Sequence, residues 1–385
     1  MIYVSRFHDS RFHLSRFTIS PFTIYKMKRI IASLMLLLSA IGFSQTIEKP
    51  SEVKTKTAKK LAKKFLRKNR IAGMSISVSQ HGELIWSKGF GYSNKNPKTP
   101  VKPDTTIFRI ASISKSITAL ALAKLVDNKL IDLDSSIYNY IPDYPKQPYD
   151  FTVRQLGGNL AGIRHYRDDT EYALNKKMSI TEGLDLFKND PLLFEPGTQF
   201  NYSSHGFVLL SEVIQKVSNK PFDVFVNDSI FKSLQMNHTM MDISDAMVPN
   251  KTQFYSATTF KKPVFAKAVA NEYKVAGGGF LSTSEDVIKF GNEIISPQLV
   301  SKEALSEIIT SQRLKTGKIT GYGIGFSIGH SKNGTPKYYH TGGGVGASSI
   351  LLVYPKEELV IAVLTNLTGV SMKDFGEELE AIFID

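Results

Sequence analysis

No cysteine occurs among the 385 residues. That excludes disulfides, thiolate metal sites, a cysteine nucleophile and a lipid-modified N-terminal cysteine. Histidine is scarce as well. The eight present include no H-E-x-x-H and form no close cluster with carboxylates beyond the first segment, so no metal site is expected. Long apolar runs are also missing. Residues 30–43 form the longest, short of the ~20 residues a membrane-spanning helix needs. No internal repeat or low-complexity tract follows residue 44. What remains is globular in composition, 42% hydrophobic and 22% charged, with length for a large core.

The start of the chain reads as targeting rather than fold. From Met27 it runs MKRIIASLMLLLSAIGFSQ, with Lys28 and Arg29 before the apolar run and the small residues Gly42 and Ser44 at its end. These are the parts of a secretory signal peptide over 27–44, cleaved after Ser44, and they predict an exported protein, periplasmic or secreted. Residues 1–26, rich in Ser and Arg, read as an upstream extension ahead of a start at Met27, with a transit peptide as the competing reading.

The net charge of +13 would suggest a nucleic-acid partner if it were spread over the chain. It is not. Residues 1–44 hold six Lys/Arg and one Asp, residues 54–70 hold nine bases and no acid, and what is left sums to −1. No nucleic-acid partner is expected. Within 45–70, Ala58, Leu61, Ala62, Phe65 and Leu66 recur at helical spacing, which predicts a basic amphipathic helix. The favoured reading packs it on the domain with a solvated basic face. The sharper one adds a weak contact between 54–70 and an anionic lipid or wall polymer.

Residues 71–385 carry the domain. MSISVSQHGELIWSKGFGYS, 74–93, alternates apolar and polar residues around His81-Gly82 and predicts a β-hairpin. A helix apolar on all sides follows in ISKSITALALAKLVDNKL. Helical patterns such as 206–217 and 284–295 fill the middle. Strands are expected at 321–329, 347–355 and 359–366, then a helix over 372–382. Strands at both ends and helices between predict an α+β fold: one antiparallel sheet from both termini, flanked by helices, with a helical subdomain inserted.

Several motifs compete for the chemistry. TGGGVGA, 341–347, fits a dinucleotide fingerprint but precedes a strand rather than a helix, so no cofactor is expected. GFSIG, 325–329, fits the G-x-S-x-G elbow, yet Ser327 sits in a strand pattern, where that elbow needs strand, turn and helix. It is the rival nucleophile. S-x-x-K occurs at Ser51-Lys54, Ser112-Lys115 and Ser229-Lys232. Only Ser112 precedes an apolar helix, where i, i+3 spacing lets Lys115 reach it while Ser114 and Ser116 point elsewhere. Burial lowers a lysine pKa and makes the amine a usable base, and helix N-terminal N–H groups lie near Ser112. Two distant stretches offer partners: Tyr202 and Ser204 in FNYSSHG, and His340, Thr341 and three glycines in YYHTGGGVG.

Ser112-Ile-Ser-Lys115, Tyr202-Ser-Ser204 and His340-Thr-Gly342, in that order, resemble the S-x-x-K, Y-x-N and K/H-T-G motifs of the serine β-lactamase and penicillin-binding-protein superfamily, class C-like branch. The flanks TVRQLGGNLAGIRHY, FEPGTQFNYSS, GGGFLSTSEDVIKF and YGIGF are similar too, and AGIRHY and HTGGGVGASSILLVYP look most like its LACTB-type serine peptidases. The resemblance spans residue 71 to the C-terminus. It implies Ser112 as acylated nucleophile, Lys115 as its base, and Tyr202 as base or proton shuttle, anionic or poised by the lysine. The oxyanion hole would be the backbone N–H groups of Ser112 and Gly343, with Ser204, His340, Thr341 and Gly342 contacting substrate.

Three positions depart from that pattern. Ser204 replaces Asn, and His340, mostly neutral at pH 7, replaces the Lys that grips a carboxylate in β-lactamases and transpeptidases. Asn159 stands where the branch commonly has His. The expected function is hydrolysis of a small peptide, amide or ester through a Ser112 acyl-enzyme. Peptidase ranks ahead of carboxylesterase and weak β-lactamase. A non-catalytic penicillin-binding-like binding or assembly module is the alternative class.

Overall fold

A computed structural model describes residues 50–258 and 262–384. The predicted extension and signal peptide fall outside these residues. The elements include α1 (Glu52–Lys68), β1 (Gly73–Gln80), β2 (Glu83–Lys95), β3 (Lys98–Pro100), α2 (Ser114–Asp127), α3 (Ser204–Ser218), α4 (Ser284–Ile295), β4 (Ser327–His330), β5 (Pro336–Gly344), β6 (Ala347–Tyr354), β7 (Leu359–Thr365) and α5 (Lys373–Phe383). The seven strands form one sheet in the order β3-β2-β1-β7-β6-β5-β4, antiparallel throughout. The two ends of the chain meet in its centre, where Met74 lies opposite Thr365 and Gln80 opposite Leu359. This is the α+β arrangement expected, with residues 101–326 inserted between β3 and β4.

The β1–β2 hairpin closes on His81 and Gly82, both at positive φ (52° and 78°), the backbone that a two-residue type I′ turn requires. The alternation in β1 looks like a strand with one wet face, yet both faces are buried. Met74, Ile76 and Val78 join one apolar core with α1 and α5. Ser75, Ser77 and Ser79 turn to α4, where Ser75 and Ser77 each meet Ser284 at 2.7 Å and Ser79 donates to Asn292 at 2.6 Å. Buried hydroxyls are tolerated because each finds a partner.

α1 packs against the domain through its small and aromatic residues. Ala58 and Ala62 are fully buried and the Phe65 ring stacks on Phe375 of α5 with centroids 4.0 Å apart. Ser51, first of the three S-x-x-K serines, caps this helix by accepting the Lys54 N–H at 3.3 Å. The strand expected over 321–329 is shorter, because Gly321 and Gly325 adopt φ of +73° and +70° and break it before Ser327. Gly325 instead lies so close to α2 that a Cβ would stand 2.4 Å from the Lys115 carbonyl oxygen. α2 is enclosed on all sides, as its uniform hydrophobicity demands.

A similar close approach joins α4 to the sheet: a Cβ on Gly291 would fall 2.3 Å from Val360 Cγ1 on β7. Gly291→Ala is expected to destabilise the fold by about 1–3 kcal/mol through overpacking. A urea titration of the variant against wild type measures it.

Candidate active site

Ser112 sits in a 3₁₀ turn, Ala111–Ile113, that runs directly into α2. Two anchors hold the turn from behind: Ile110 N–H donates to Phe280 O at 3.1 Å, and Ser349 Oγ on β6 donates to Ile110 O at 2.8 Å. Ala111 is at φ +46°, a left-handed backbone that costs a non-glycine residue ~1–2 kcal/mol. The surrounding contacts hold it there and leave Ser112 partly exposed. Its neighbours are committed elsewhere. Ser114 Oγ accepts from Phe280 N–H at 3.2 Å and Ser116 Oγ donates to Gly325 O at 2.6 Å.

Lys115 is fully buried one turn on. Its Nζ lies 3.4 Å from Ser112 Oγ, 2.9 Å from Ser204 Oγ and 2.5 Å from Gly277 O, over the rings of Tyr202 and Phe207 at 4.9 and 5.3 Å. Among the described residues no carboxylate pairs with it, and burial lowers its pKa to about 7. A neutral amine has two N–H groups and one lone pair. Gly277 O can only accept and Ser204 Oγ can accept, so the two N–H groups are used there. The lone pair is left for the hydroxyl of Ser112.

Tyr202 also hydrogen-bonds the Ser112 side chain, and burial raises its pKa above the ordinary phenol value. That direction goes against an anionic Tyr202; at neutral pH it is a phenol with a proton to give. Ser204 is turned to Lys115 rather than spent on substrate alone. Its hydroxyl bonds both Lys115 and the Tyr166 phenol, and its N–H donates to His165 Nδ1 at 3.1 Å. His165 has its pKa lowered to about 4, by burial first and the Lys115 charge second, and stays a neutral acceptor. Asn159 anchors the loop beside it. It adopts φ +62°, which Asn tolerates, and its Oδ1 accepts the Ser203 N–H at 2.9 Å, holding the loop that presents Tyr202.

The third motif lies on β5. β4 pairs with β5 only as far as Tyr339, so from His340 to Gly344 the outer edge of β5 has no strand partner among the described residues. That edge faces Ser112. A Cβ on Gly342 would meet Ser349 Oγ at 2.1 Å and Ile110 O at 2.5 Å, whereas one on Gly343 would meet nothing within 4 Å. Gly342 therefore seats the strand on the serine turn and Gly343 borders open space. Thr341 is exposed at the rim. His340 is buried, bonded through Nε2 to the Tyr322 hydroxyl at 3.1 Å and through Nδ1 to Thr341 O at 2.6 Å. Burial, and then Lys115, lower its pKa to about 3, so it brings no charge. The glycine run continues into the β5–β6 hairpin, not into a helix as a dinucleotide site would require.

Ser112, Tyr202, Ser204, His340, Thr341 and Gly343 line one cavity of about 500 Å³, walled by Tyr166, Tyr172, Phe200 and Tyr322. Ser327 opens onto it too, but it begins a strand and makes no hydrogen bond with a basic side chain among the described residues, so the elbow geometry is absent. Ser229 lies in the helical turn Asn227–Phe231, and Lys232 pairs with Asp228 at 2.9 Å instead. Sequence reasoning missed Lys274. It is buried on the cavity wall, donates to Tyr172 O at 2.8 Å, and burial and Arg109 lower its pKa to about 8. No motif or periodicity marks it.

A model of the beta-lactamase family matches residues 58–382. The serine beta-lactamase-like protein LACTB, mitochondrial, of Homo sapiens is 31% identical over 379 residues, 74% of this chain and 69% of that protein. The octameric penicillin-binding protein homologue from Pyrococcus abyssi superposes with a TM-score of 0.75 at 24% identity, over 87% of this chain and 78% of its own. The D-amino acid amidase from Ochrobactrum anthropi SV3 gives 0.74 at 22%, over 86% and 99%. The two structural likenesses show a common fold.

Asn159 separates two contributions cleanly. Asn159→Ala loses the left-handed tolerance and the acceptor for Ser203, together about 2–4 kcal/mol of stability. Asn159→Gly recovers the backbone part only. Chemical denaturation of the two variants is expected to rank wild type above Gly above Ala.

Proposed function

The chain belongs to the beta-lactamase family, and from that premise we propose that it is an exported serine hydrolase that cleaves small peptides or amides through a Ser112 acyl-enzyme. The observation that carries this reading is the neutral-poised Lys115 amine directed at Ser112 Oγ inside the cavity. In the first step Ser112 Oγ bonds to the substrate carbonyl carbon and its proton passes to Lys115 Nζ. The developing oxyanion accepts from the backbone N–H groups of Ser112 and Gly343. Collapse of the adduct breaks the bond to the leaving group, which takes a proton from the Tyr202 phenol, and the Lys115 ammonium beside that ring returns its proton to the tyrosinate. Water then hydrolyses the ester by the same route reversed.

An amine cannot leave without a proton, whereas an alkoxide needs less help. The raised pKa of Tyr202 keeps a donor beside the leaving group and supports amide over ester chemistry. The uncharged His340 supports a substrate not gripped by a carboxylate at that position. Carboxylesterase and weak β-lactamase activities rank below peptidase activity on these grounds. The export reading rests on the sequence of residues 27–44.

A fluorophosphonate probe with peptide mapping tests the reading. Label is expected on Ser112, lost in Ser112→Ala and kept in Ser327→Ala. Equal labelling of wild type and Ser112→Ala, or none at all, would sink it and favour a binding module. In a panel of chromogenic esters, L- and D-amino-acid amides and a cephalosporin, amides are expected to lead in kcat/KM. The pH dependence has a fixed sign: Lys115 accepts a proton only when neutral, so kcat/KM rises with pH and reaches half its plateau near pH 7. A flat profile from pH 5 to 9 would rule Lys115 out as the base.

A further inference from the structure

α1 carries Lys54, Lys56, Lys59, Lys60, Lys63, Lys64, Arg67 and Lys68 against one acid, Glu52. Its apolar stripe is used up inside the fold, by buried Ala58 and Ala62 and the Phe65–Phe375 stack. The helix therefore has no free apolar face with which to enter a bilayer, and whatever its basic face meets must be met by charge. That face is not uniform. Lys59, Lys63 and Arg67 stand at i, i+4, i+8, one row along the helix. Together with Lys88 from β2 they line a cavity of about 520 Å³ between α1 and β2, floored by Leu66 and Phe90. Among the described residues no carboxylate lines it. Among the described residues none of the four cations is ion-paired, and the one side-chain bond among them is Arg67 Nε donating to Lys63 O at 3.2 Å.

We propose that the α1–β2 groove is a docking site for the phosphate head groups of an anionic membrane. Four cations from two elements converge on one concave site, which suits a phosphate diester better than a diffuse cloud of counter-ions. Among the described residues the groove offers no exposed aromatic ring on which a nucleic-acid base could stack, since Phe90 is buried. The apolar run at residues 30–43 ends eight residues before α1 begins, a reach of roughly 28 Å at full extension. During export, before cleavage after Ser44, that signal peptide would hold α1 within this distance of the lipid surface. Because contact is by charge without insertion, it is reversible and salt-sensitive.

Sedimentation of the full chain with phosphatidylcholine vesicles, with and without phosphatidylglycerol, tests this. Binding is expected only with phosphatidylglycerol, and only at low salt. The combined variant Lys59→Ala, Lys63→Ala, Arg67→Ala, Lys88→Ala is expected to lose roughly fivefold in partitioning per cation removed. A second variant with Ala at the exposed Lys129, Lys302, Lys318 and Lys356 loses the same charge and is expected to partition as wild type. Unchanged thermal midpoints show that both variants are folded. Equal losses in the two variants would mean net charge alone and overturn the groove, as would wild-type partitioning by the groove variant or partitioning into pure phosphatidylcholine. Groove-dependent binding to duplex DNA without vesicle binding would assign the site to nucleic acid and also overturn it.

Discussion

The buried amine of Lys115 is the constraint on which the site depends. An ammonium taken fully out of water without a carboxylate is costly, and the cost falls away when the group gives up its proton. The fold surrounds it with polar atoms of differing capacity: a carbonyl that only accepts, a serine that can do either, and the hydroxyl that is to react. Those partners come from three separate parts of the chain, Gly277, Ser204 and Ser112. Each must be held to within a few tenths of an ångström, and much of the surrounding architecture does that holding.

The serine turn is fixed by β6 through Ser349, the lysine turn by the glycine loop that presses Gly325 on α2, and the tyrosine loop by Asn159. The sheet supplies the remaining wall. Its central strands come from opposite ends of the chain, and β5 runs past its short neighbour β4 so that the five residues from His340 to Gly344 leave a backbone edge open beside Ser112. Backbone edge and buried amine are the two parts that acyl transfer requires: donors where negative charge develops, and a base where a proton leaves.

Much of this was legible in the residues. Spacing alone separated Ser112 from Ser114 and Ser116, because i, i+3 neighbours share a helix face and adjacent residues do not. The uniform hydrophobicity of α2 announced that Lys115 would be buried. Other features were hidden for physical reasons. The serines of β1 mimic a solvent face, since alternation reports polarity and not what covers it. The strand at 321–329 ends early because two glycines take backbone angles that no pattern of hydrophobicity encodes. Asn159 carried a signal, the tolerance of Asn for left-handed backbone, but nothing local says that its amide reaches Ser203. Lys274 carried none: its burial arises from Tyr166, Tyr172 and Tyr273, whose rings surround it only in the folded chain.

The central claim is that Lys115 is a neutral-poised amine in the resting protein, before any substrate arrives. NMR of the chain with ¹³Cε-labelled lysine measures this directly, with Lys115→Arg to assign the resonance. The account predicts one lysine titrating near pH 7, well below the ordinary range. A Lys115 resonance that stays charged to pH 9 or beyond would contradict it, and the assignment of this lysine as the base would fall with it.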